Sequence, residues 1–140
     1  MVKFECEVNE MVDTGKLLRE KSFAFALRIV KMSRYLNDRK QEFVLSKQVL
    51  RCGTSIGANI REAVFAQSTL DFISKLSIAL KEASETQYWL ELLEASKLLT
   101  SKEFSSLKSD VDWLVGTLVN VIKSNKRKLK SGKGITAAQI

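Results

Sequence analysis

Residues 48–93 read QVLRCGTSIGANIREAVFAQSTLDFISKLSIALKEASETQYWLELL. With Leu45 just upstream, Val49, Cys52, Ile56, Ile60 and Ala63 recur at spacings of three and four, which is one face of an α-helix. Phe72, Leu76, Ala79, Leu80, Ala83, Leu90 and Leu93 line the inner side of a second. The chain contains no proline, so nothing forces a break inside either segment. The run predicts two long amphipathic helices, over residues 42–66 and 68–98. Ser68 or Thr69 suits the N-cap of the second, with Asp71 in its first turn.

Two further segments carry the same period. Upstream, Phe25, Ile29, Met32 and Leu36 share one face of a helix over residues 15–37, and Phe23, Ala26, Leu27 and Val30 widen it. Downstream, Leu107, Val111, Leu114, Leu118 and Val121 define a fourth helix, with Ser101 suited to its N-cap. Short polar breaks fall at residues 37–42 and 99–102. Val2, Phe4, Cys6 and Val8 alternate, which fits a short strand or an extended arm. Near the C-terminus lysine and glycine replace the periodic pattern, and that end reads as flexible. The expected division is an N-terminal arm at 1–14, a helical domain at 15–125 and a basic flexible tail at 126–140. Four helices of roughly 20–30 residues with short connections predict an all-α, antiparallel up-down-up-down four-helix bundle.

Composition narrows the function. The chain has no histidine, so triads built on that residue are excluded. Carboxylate-bridged di-iron bundles use Glu-x-x-His, and Glu62, Glu82 and Glu85 have no such companion. No phosphate loop or dinucleotide fingerprint is present. A non-enzymatic protein with no metal site and no cofactor is expected. No apolar stretch approaches the ~20 residues that cross a bilayer, and MVKFECEVNEMVD at the start lacks an apolar signal core. The location expected is cytoplasmic, without a membrane partner. Two cysteines are too few for a disulfide framework, and Cys52 reads as a small buried hydrophobe.

The net charge of +7 is uneven. Residues 1–112 carry 17 basic and 16 acidic side chains, whereas residues 113–140 carry six basic and no acidic ones. A polyanionic partner suits such an end. The plainer alternative is a solvated tail that aids solubility.

The stretches LRCGTSIGANIREA (50–63), STLDFISKLSIALKEASETQYWLELL (68–93) and KSFAFALRIVKMSRYL (21–36) resemble the bacterial four-helix-bundle proteins encoded in intervening sequences of 23S ribosomal RNA genes. The resemblance covers residues 16–120. It implies an antiparallel four-helix bundle that assembles as a ring, a homopentamer, and it implies no known enzymatic activity. By analogy of fold alone it extends to the accessory variability proteins of diversity-generating retroelements, basic pentamers that bind nucleic acid and a reverse transcriptase. On that analogy a reverse transcriptase is the protein partner to consider.

The candidate sites form two sets. Lys21, Arg28 and Lys31 make a basic strip on the first helix, and Lys47, Arg51 and Arg61 a looser one on the second. Lys123, Lys126, Arg127, Lys128, Lys130 and Lys133 make the basic end. Both groups are expected to contact phosphates of RNA or DNA without reading bases, since no aromatic residue stands in the tail. The second set concerns packing and assembly. Gly53 and Gly57, one turn apart, each cost about 1 kcal/mol of helix propensity and suggest close approach of another helix. Asn59 is placed within the bundle or at a subunit seam. Glu62, Glu82 and Glu85 are expected to pair with Arg51, Arg61 or lysines across helices or subunits. Tyr88 and Trp89 point about 100° apart, so at most one is central to the core and the other suits a subunit interface. The competing reading is a protein–protein scaffold with no nucleic-acid role.

Overall fold

A computed structural model describes residues 2–132, with side chains from residue 13 onward. It contains α1 (Val2–Lys40), α2 (Val44–Val64), α3 (Thr69–Ala95) and α4 (Ser101–Lys130), and no strand among the described residues. The buried positions explain why the helices pack. They include 18, 22, 25, 29, 32 and 36 in α1, and 46, 49, 53, 56, 60 and 63 in α2, with Ser33 and Cys52 beside them. Steps of four and three average 3.5 residues, so one seam keeps facing its neighbours along the whole helix. In α4, Leu107, Val111, Leu114, Leu118 and Ile122 continue the pattern. Phe25, Ile29, Leu36, Ile56, Leu90, Leu114 and Leu118 are fully buried, and each such side chain contributes about 1.5–3 kcal/mol.

Each helix packs on its neighbours in the chain, and α1 closes on α4 through the sparsest seam. Along α1 and α2, Ser46 meets Asn37 and Ser33, Gly53 meets Ile29, and Gly57 meets Ser22. Between α2 and α3, Arg51 meets Glu85 and Glu62 meets Lys75. Between α1 and α4, Lys21 meets Trp113 and Arg28 meets Asp110.

The helix ends are set by local chemistry. Ser68 caps α3 by accepting from the Asp71 amide at 3.0 Å, and Asp71 accepts in return from the Gln67 amide at 3.1 Å. Thr100, one residue before the expected Ser101, caps α4 through the Glu103 amide at 3.1 Å. At α2 the cap position, Phe43, has no side-chain acceptor. The Glu42 carboxylate serves instead, accepting from the amides of Val44, Leu45 and Ser46 at 2.8–3.2 Å. α1 and α3 each end on a left-handed residue, Gln41 (φ 53°) and Lys97 (φ 63°). The amides of Glu42 and Leu99 then return to the carbonyls of Leu36 and Leu93, which satisfies groups the helix leaves open.

Five expectations are corrected. Residues 2–14, read as a strand or extended arm, belong to α1. A lone strand would have no partner for its backbone groups, whereas a helix satisfies them internally. The basic residues 126–130, read as a flexible tail, continue α4, which turns off only at Gly132 with φ 71°. α1 also runs through the expected break to Lys40, while α3 stops at Ala95, before the expected 98. Phe23 and Leu27, expected to widen the buried face of α1, are 57% and 49% exposed. They sit two positions from Phe25, about 200° around the helix. The side chains of Val2, Phe4, Cys6 and Val8, and all of Lys133, lie outside the described residues.

Candidate functional site

The glycines of α2 mark its contact with α1. A Cβ at Gly53 would stand 2.9 Å from both Cγ atoms of Ile29, and one at Gly57 would stand 3.3 Å from Ser22 Oγ. The carboxylates divide between two cations. Arg51 donates to Glu85 at 2.6 Å and lies 3.6 Å from Glu82. Trp89 Nε1 adds a second donor to Glu85 at 3.1 Å. Glu82 Oε2 is buried with no hydrogen bond, and the Arg51 charge is its ion partner. Glu62 pairs with Lys75 at 3.2 Å. Asn59 donates to the Ser55 carbonyl of its own helix at 2.8 Å. Tyr88 is exposed and stands edge-on to half-buried Trp89, with ring centroids 5.1 Å apart.

Beneath this group Cys52 is fully buried. Burial pushes its thiol up, away from the reactive thiolate. The Thr86 hydroxyl donates to the Glu82 carbonyl at 2.7 Å and stands 3.2 Å from Cys52 Sγ. Thr86 is a buried polar residue that an apolar stripe does not reveal.

The basic residues differ in what already holds them. Arg28 donates to Asp110 at 2.6 Å and to Ser106 Oγ at 2.7 Å, clasping α1 to α4. Arg28 and Arg51 are therefore neutralised within the chain. Lys21 lies over the Trp113 ring, 4.5 Å from its centroid, a cation–π contact. Lys31, Lys47 and Arg61 are exposed, and no acidic group pairs with them among the described residues.

On α4, Lys123, Lys126, Arg127 and Lys130 are exposed and likewise without an acidic partner among the described residues, while Lys128 is half-buried. At 3.6 residues per turn these four cations lie within about 100° of one another, so they form one face. Part of this charge complements the partial negative charge at a helix C-terminus, to which cations in the last turn are suited.

A groove of about 840 Å³ opens beside this face, between α1 and α4. Leu18, Ile60, Ala63 and Leu76 form its buried floor. Trp113, Thr117, Asn120 and Asn125 of α4 and Arg19 of α1 bring polar groups to it, and no described lining residue is acidic. The groove joins side chains from all four helices, so no stretch of sequence signals it.

The fold and its charge distribution define an all-α helical bundle with a cationic end. The family described as 23S rRNA-intervening sequence protein matches over residues 17–120. The chain belongs to that family. It is also similar to the crystal structure, at 1.70 Å, of a protein of unknown function from the S23 ribosomal protein family of Bacteroides thetaiotaomicron VPI-5482. The two are 50% identical, with a TM-score of 0.78, over 79% of this chain and 98% of that one. A comparison with curated proteins finds no match. The family match ends at residue 120, so the cationic face that begins at Lys123 lies outside it. No helix among the described residues is long and apolar enough to cross a membrane.

Proposed function

We propose that this chain is a non-enzymatic, cytoplasmic nucleic-acid-binding protein. Its helices form an antiparallel up-down-up-down bundle, and five copies assemble as a ring. The observation that carries the reading is the face of Lys123, Lys126, Arg127 and Lys130, four cations without an acidic partner among the described residues on two turns of a rigid helix. A phosphate backbone is the polyanion such a row suits, and binding through it does not depend on base sequence. Lys31, Lys47 and Arg61 add exposed positive charge on α1 and α2. Arg28 and Arg51 contribute less, because Asp110, Glu82 and Glu85 already occupy them. In a ring the cationic faces repeat around the axis and reinforce one another.

The test is the affinity for RNA and duplex DNA across a salt series. It compares the full chain with a variant carrying Lys123→Gln, Lys126→Gln, Arg127→Gln and Lys130→Gln. Substitution is preferable to truncation, since Leu129 packs on the core. Affinity falling linearly on a log–log plot, with a slope shallower by about three to four in the variant, supports the proposal. No binding at low salt removes it.

The second reading is a protein–protein scaffold, for instance an accessory to a reverse transcriptase. It is favoured by exposed apolar side chains, above all Phe65 at 81% and Leu70 at 69%. Such residues at a turn suit a partner protein as well as another copy of the chain.

A further inference from the structure

We infer that the groove between α1 and α4 seats an unstacked base of a single-stranded nucleic acid, with the neighbouring phosphates on the cationic face of α4. The inference rests on the nucleic-acid reading above and adds to it a preference for single strands. Three observations carry it.

First, position. Lys123 follows Asn120 by three residues, and Arg127 follows Ser124 by three, so cations adjoin groove residues on the same helix surface. A strand whose phosphates lie along Lys123 and Arg127 runs past the groove mouth. Second, lining. Trp113, over whose ring Lys21 lies, and Phe72 offer aromatic surface, and the floor is aliphatic. Stacking on such surfaces is the sequence-tolerant way a protein holds an unpaired base. Thr117, Asn120 and Asn125 supply donors and acceptors for base edges. The Asn125 amide nitrogen donates to the Val121 carbonyl at 2.8 Å, which orients that side chain. Third, charge. Arg19 lies at the groove, and none of the described lining residues is acidic, so none of them repels a nucleotide. Its volume of about 840 Å³ falls within the usual range for sites that enclose small ligands.

A duplex cannot use the groove, because its bases are stacked and paired. It reaches only the cationic face. The two substrates are therefore distinguished by Trp113 and not by charge.

The experiment uses Trp89→Phe, which leaves Trp113 as the only tryptophan. A mixed-sequence single-stranded RNA and the same sequence as a duplex are titrated at low salt. Tryptophan emission reports the groove, and anisotropy of the labelled nucleic acid reports binding. The single strand is expected to quench Trp113, and the duplex to bind without quenching. Alongside it, Thr117→Phe in the otherwise unaltered chain fills the groove without changing charge. It is expected to weaken single-strand affinity about tenfold and leave duplex affinity unchanged. Circular dichroism checks that each variant is folded, and Thr117→Phe carries the test if Trp89→Phe is not. Salt-dependent binding with Trp113 silent, or equal behaviour of the two substrates in Thr117→Phe, overturns the inference and leaves the phosphate reading standing. Quenching by a fatty acid and not by RNA overturns it in favour of an apolar ligand. Absence of any nucleic-acid binding removes both.

Discussion

At Gly53 the absence of a side chain is what lets α1 and α2 meet. Ile29 is fully buried there, and its branched side chain has one strongly preferred rotamer in a helix. A methyl group 2.9 Å from both of its Cγ atoms has to displace core. Overpacking of about 1–3 kcal/mol then competes with the ~1 kcal/mol that alanine gains in helix propensity. We expect Gly53→Ala to lower stability, by up to about 2 kcal/mol in urea denaturation. Gly57→Ala meets chiefly the rotatable Ser22 hydroxyl, so its effect stays near zero. Gly116 has no atom within 4 Å of a built Cβ, and Gly116→Ala raises stability by about 1 kcal/mol.

Glu42 shows the same dependence on place. Burial pushes its carboxyl up, but the three backbone amides at the start of α2 more than reverse this, and it titrates below its ordinary range. A group whose folded pKa is lowered contributes fully above its unfolded pKa and loses that contribution as the pH falls through the folded value. The urea midpoint should therefore fall on acidification from about pH 5 downward. Glu42→Gln should flatten that dependence and cost about 1 kcal/mol at neutral pH.

At the scale of the element, the helix ends hold the least favourable backbone. Lys97 takes φ 63° so that Leu98 and Leu99 can return their amides to Leu93. A left-handed lysine carries a steric penalty that glycine does not. Lys97→Gly is expected to raise the melting temperature, by roughly 0.5–1 kcal/mol of stability, with helicity unchanged. At the end of α4, Gly132 already provides the left-handed residue. The loss of apolar period near residue 125 thus marked a change of composition and not the end of a helix. Lysine and arginine are good helix formers, and Leu129 still packs on the core.

At the scale of the whole molecule, the proposed assembly turns on the exposed apolar residues. Phe23 and Leu27 lie one turn apart on the outer side of α1 and take no part in the buried core. If five copies form a ring, such surface is where another copy gains most by covering it. The double variant Phe23→Glu, Leu27→Glu should keep its circular dichroism and lose mass in light scattering. An unchanged mass would place the interface elsewhere, with Phe65 and Leu70 next to be tested.

The sequence by itself determined that the chain is helical and where its main core lies. Phe25, Ile29, Met32 and Leu36, with Val49, Cys52, Ile56 and Ile60, were legible because helical spacing is a local property that each segment carries alone. Net charge and its concentration near the C-terminus were legible for the same reason. Only the tertiary structure decided which cations remain available. Arg28 and Asp110 are 82 residues apart, and Arg51 and Glu85 are 34 apart. The sequence offers Arg51 to Glu85 only as one cation among several and does not mark Arg28 with Asp110 at all, because an ion pair depends on which helix faces lie side by side. The groove is tertiary in the same sense. Trp113, Asn120 and Arg19 are ordinary surface residues in their own helices, and they line one site because α1 and α4 stand apart beside the cationic end.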